Sequence, residues 1–63
     1  MTFMDAVEVV QGWPEDRLAP RKLSAMINAA KGKDRIFMQQ LVEALVVAAA
    51  TPEDHKLIDK YFG

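Results

Sequence analysis

The chain has 63 residues, a hydrophobic fraction of 51%, a charged fraction of 27%, a formal net charge of −1 and no cysteine. This length supports one domain over residues 1–63, and this composition suits a chain with a core rather than a disordered one. Without cysteine, disulfides and thiolate metal sites are excluded, and the one histidine, His55, cannot build a histidine cluster.

The first predicted helix starts at Thr2, an N-cap candidate, and runs to Gln11, with Gly12 as a left-handed stop. Phe3, Met4, Ala6, Val7 and Val10 fall at helical spacing, and Asp5, Glu8 and Gln11 fill the other side. Val9 fits neither face, and the β-branched content leaves a strand as the competing reading. Residues 13–20 form a connector, because Pro14 and Pro20 forbid a continuous helix. A single helical turn from Pro14 is expected there, with Trp13 and Leu18 turned inward. Trp13 is also a candidate anchor for a partner, since tryptophan is enriched at binding hot spots; a cover over the end of the bundle is the competing reading.

A second helix is predicted from Pro20 or Arg21 to Lys31, stopped by Gly32. Leu23, Met26, Ile27 and Ala30 make its apolar stripe, and Arg21, Lys22, Asn28 and Lys31 its solvent side. The third is expected to begin after Asp34, as N-cap, and to reach about Ala50. Thr51-Pro52-Glu53-Asp54 is the strongest local signal: a capping threonine, proline at the first helical position, and two carboxylates at the positive end of a fourth helix. Leu57, Ile58, Tyr61 and Phe62 form its apolar face.

The third helix has more apolar surface than one neighbour can cover. At about 100° per residue, Gln39, Gln40 and Glu43 make one narrow polar strip, with Ile36, Val46 and Val47 within or beside it. Phe37, Met38, Leu41, Val42, Ala44, Leu45, Ala48 and Ala49 span more than about 160°, where an amphipathic surface helix buries about 100° or somewhat more. The helix is therefore either the central post of a monomer or the seam of a homodimer. We predict an all-α compact bundle, three main helices plus a short additional one. It is expected to dimerise through Phe37, Met38, Leu41, Val42, Leu45, Ala48 and Ala49, with Phe3, Met4 or Phe62 adding to the contact.

The polar residues of the third helix also rule it out as a membrane span of about 20 residues. Asp5 and Glu8 interrupt the first apolar run and no basic segment precedes it, so no signal peptide is expected and a cytoplasmic location is. No catalytic, cofactor-binding or metal-binding set emerges, and an enzyme is not predicted. His55 with Glu53, Asp54 and Asp59 lacks the converging ligands of a metal site, and Glu15 and Asp16 diverge as neighbours on a turn. Ser24 has no nucleophile context, and Gly12, Gly32 and Gly63 do not cluster into a phosphate loop.

Charge is segregated along the chain. Residues 17–35 carry Arg17, Arg21, Lys22, Lys31, Lys33 and Arg35 against the single acid Asp34, whereas residues 1–16 carry four acids and no base. The leading expectation is a small non-enzymatic regulator or inhibitor that docks this basic face on an acidic protein surface. In size and lack of catalytic machinery it resembles accessory regulators of phages and mobile elements, a likeness of composition with no motif behind it. The first alternative is a helix-turn-helix-like DNA-binding regulator using residues 17–35, although the third helix offers base edges little beyond Gln39, Gln40 and Glu43. A structural assembly subunit is the second.

Overall fold

The computed structural model describes residues 3–63, with side chains from Met4 onward. They form four helices, α1 (Phe3–Gln11), α2 (Ala19–Ala29), α3 (Lys33–Ala48) and α4 (Pro52–Phe62), and no strand among the described residues. The all-α bundle predicted from helical periodicity is the observed architecture, and Val9 lies within α1 rather than a strand. The additional helix, α4, has 11 residues, the same as α2. The proposed N-cap Thr2 and the side chain of Phe3 lie outside the described residues.

α2 and α3 form the centre of the bundle, and each packs against both α1 and α4. Their apolar stripes meet in a core of Ala6, Trp13, Ala19, Leu23, Met26, Ile27, Met38, Leu45 and Ile58. Leu23, Met38, Leu45 and Pro20 are its largest fully enclosed side chains. Complete burial of a side chain such as leucine contributes about 1.5–3 kcal/mol, so a chain this short depends on each of them.

Three helix ends differ from expectation. α2 stops at Ala29, where the Ala30 amide closes the last turn by donating to the carbonyls of Met26 and Ile27 and the backbone turns extended. Gly32 does not stop α2; it opens α3, with φ 63° and ψ −134°. Asp34 is thus inside the first turn of α3 rather than its N-cap, placed where its charge complements the helix dipole. At the end of α1, Gly12 is not left-handed, since among the described residues positive φ occurs only at Gly32. α1 ends instead through tightened turns, with the amides of Gly12 and Trp13 donating to Val9 and Val10.

The connector turn begins at Gly12, whose carbonyl accepts from the Asp16 amide at 2.7 Å, not at Pro14. Leu18, expected to fold inward, is exposed, because it occupies the N-cap of α2 and its amide is turned to the Asp16 carboxylate. The start of α4 is as predicted. Thr51 and Asp54 form a reciprocal capping box and Pro52 lies in the first turn, with Ile58 buried and Leu57 and Phe62 packed on the core.

Candidate interaction surface

The six basic residues of 17–35 divide into two groups at opposite ends of α2. Arg17, Arg21 and Lys22 lie at its start, and Lys31, Lys33 and Arg35 lie in and after the turn that follows it. The first group is largely committed within the chain. Arg17 ion-pairs with Asp54, donates to the Pro14 carbonyl and lies 5.1 Å from the centroid of the Trp13 ring. Lys22 donates to Asp16 at 3.0 Å, and this contact, with a bond from the Leu18 amide, lowers the Asp16 pKa. The basic face predicted from sequence is therefore not one continuous patch.

The second group is different. Lys31, Lys33 and Arg35 are exposed and form no salt bridge among the described residues, and the same holds for Arg21. α3 has no side-chain cap at its start, so the amides of its first turn add to these cations, offset in part by Asp34. Ala30 is extended, Gly32 has positive φ, and residues 31–35 are all exposed.

Trp13 is not a surface anchor: it is 4% exposed. Its indole Nε1 donates to the Leu45 carbonyl at 2.9 Å. That carbonyl needs a partner, because the Ala49 amide at the end of α3 turns instead to Val46. The predicted cover over the loop is thus also a cap on the helix end. Arg17 lies over the ring and reaches Asp54, which ties the connector to α4.

Asp54 is only 3% exposed and fully partnered. Its Oδ1 accepts from Arg17, and its Oδ2 accepts from the amides of Ala50 at 2.8 Å and Thr51 at 3.2 Å. The Arg17 bond foremost, then the Ala50 amide, hold its pKa down to about 2, against a smaller opposing effect of burial. His55, beside it, is exposed, and no group of acids and histidine among the described residues converges on a metal-sized site.

The predicted dimer seam is split by the fold. Met38 and Leu45, at 1% and 0% exposure, are enclosed in the chain's own core, and Leu41, Val42 and Ala49 pack against it. Of that set only Phe37 and Ala48 are exposed. The apolar surface α3 does present is on its other side, where Ile36, Val46 and Val47 accompany the polar strip. Gln39, Gln40 and Glu43 line a shallow depression there with Ile36. A second open groove, between α1 and α2, has Val9, Ala25 and Met26 among its lining residues, with Asp5, Glu8, Asp16 and Lys22 around them.

The chain matches no family model, and no curated protein or solved structure is significantly similar to it. Among the described residues no helix is long and apolar enough to cross a membrane.

Proposed function

We propose that this is a non-enzymatic interaction protein that regulates or inhibits another protein by docking the α2–α3 turn on an acidic surface. One observation carries the reading. Lys31, Lys33 and Arg35, in the turn before α3 and its first turn, form no salt bridge among the described residues, while Arg17 and Lys22 are neutralised within the chain. Exposed cations without ion pairs, in excess over the one acid Asp34, present a net positive field to an incoming partner, which raises the association rate and selects acidic surfaces.

The test is affinity capture from lysate of the source cells, comparing the natural chain with the Lys31→Glu, Lys33→Glu variant. A protein held by the natural chain, released by salt and not held by the variant is the expected result. Identical capture by both chains would overturn the reading. Nuclease-sensitive capture would transfer the same turn to the nucleic-acid alternative, whose phosphate contacts are equally salt-dependent.

A further inference from the structure

α3 has a core-facing side and, opposite it, an exposed mixed face where Ile36 and Val47 accompany the polar strip. At about 100° per residue, the enclosed Met38 and Leu45 lie on one side. Ile36, Gln40, Glu43 and Val47 lie on the opposite side, with successive spacings of four, three and four residues. That is the alternation of a two-helix seam, with apolar residues at its ends and a polar pair at its centre. Phe37 and Ala44 flank it on one edge, Gln39 and Val46 on the other. Among the described residues, the large exposed hydrophobics outside α3 are Met4 and Leu18, and Val47 is 85% exposed.

We propose that this outer face is self-pairing, and that two copies associate through antiparallel α3 helices. In that arrangement Ile36 of each copy lies over Val47 of the other, and the Gln40 amide of each donates to the Glu43 carboxylate of the other. Both pairs follow from a single two-fold axis between residues 41 and 42, so one register satisfies the whole stripe. The same axis lays Phe37 across the small Ala44 and Ala48 of the second copy.

Charge selects the antiparallel sense. α3 begins with Lys33, Asp34 and Arg35, one positive charge in excess, and ends with no basic residue in its last turn. Antiparallel packing sets Lys33 and Arg35 of each helix beside the negative end of the other, which has no basic residue of its own; parallel packing would set like ends together. The contact is confined to one helix of 16 residues, about 24 Å long, which is less than a standard interface of about 800 Å² per partner requires. A dissociation constant of about 10–100 µM is expected. This inference stands apart from the docking reading, since it uses the outer face of α3 and needs no other protein.

The absence of cysteine allows a direct test of register. Singly substituted Ile36→Cys and Val47→Cys chains are mixed and mildly oxidised, and the mixed disulfide is expected to dominate. Same-residue disulfides in its place would overturn the antiparallel pairing. In sedimentation equilibrium, Val47→Glu is expected to shift the chain to monomer with its helical circular dichroism unchanged. Replacing the polar pair (Gln40→Leu with Glu43→Leu) is expected to tighten the dimer at least about tenfold. A natural chain that stays monomeric up to about 1 mM, or a Val47→Glu chain that dimerises as well as the natural one, would overturn the proposal.

Discussion

The two turns that bound α3 are held in opposite ways. At its end, residues 49–54 are fastened from several directions: the capping box of Thr51 and Asp54, the Ala50 and Arg17 bonds to the Asp54 carboxylate, and the Trp13 indole on the Leu45 carbonyl. At its start, residues 30–35 have no side-chain cap, a glycine at positive φ, and three cations without salt bridges among the described residues. Polar groups at the first turn are spent on holding the bundle; those at the second remain available. Local stability differs between the two ends, and the docking proposed above would use the less fastened one.

The contrast is broken most severely at Trp13. Trp13→Ala removes a 4%-exposed core residue and leaves the Leu45 carbonyl without its partner. A loss of about 3–5 kcal/mol is expected, enough to unfold much of a chain this size, as read by circular dichroism in urea.

Next in size is Asp54→Asn, which keeps the shape and removes the charge. The native carboxyl titrates at about 2 against an ordinary 3.8, so its contribution is complete above the ordinary value and fades as pH falls from there through about 2. The stability of the natural chain should therefore fall toward that of the variant over this range. A gap between their urea midpoints that stays constant down to pH 2 would show that the Arg17 contact does not carry the effect.

Gly32→Ala tests the open turn by its backbone. A Cβ there meets nothing within 4 Å, so any loss comes from the φ of 63° alone. About 1–3 kcal/mol is expected by equilibrium unfolding.

The smallest effect should come from Lys31→Ser with Lys33→Ser, within about 0.5 kcal/mol of the natural chain. A larger destabilisation would mean that these cations are structural after all, and would erase the difference between the two turns.

Local chemistry made much of this legible in the sequence. Thr51, Pro52 and Asp54 specify a helix start by contacts a few residues apart, and Leu23, Met26 and Ile27 specify an inward stripe by period alone. The end of α2 was misplaced because Gly32 suits either a helix stop or a helix start, and only the conformation of Ala30 decides between them. Leu18 was misplaced because hydrophobicity alone does not reveal an N-cap position.

The basic cluster shows the same limit. Composition marked all six cations, but which of them are spent depends on Asp54, 37 residues from Arg17, and on Asp16, beside Lys22 only once the connector has turned. Trp13 and Leu45 are 32 residues apart, and no local signal joins them.

By itself, then, the sequence determined the helices, their inward stripes and the excess apolar surface of α3, since all three depend on period and nearest neighbours. Tertiary structure alone decided which side of α3 faces the core, which cations remain unpaired, and that the tryptophan is a buried cap rather than an anchor. Those outcomes depend on pairs distant in the chain, whose meeting is set by how the helices pack and not by any local preference.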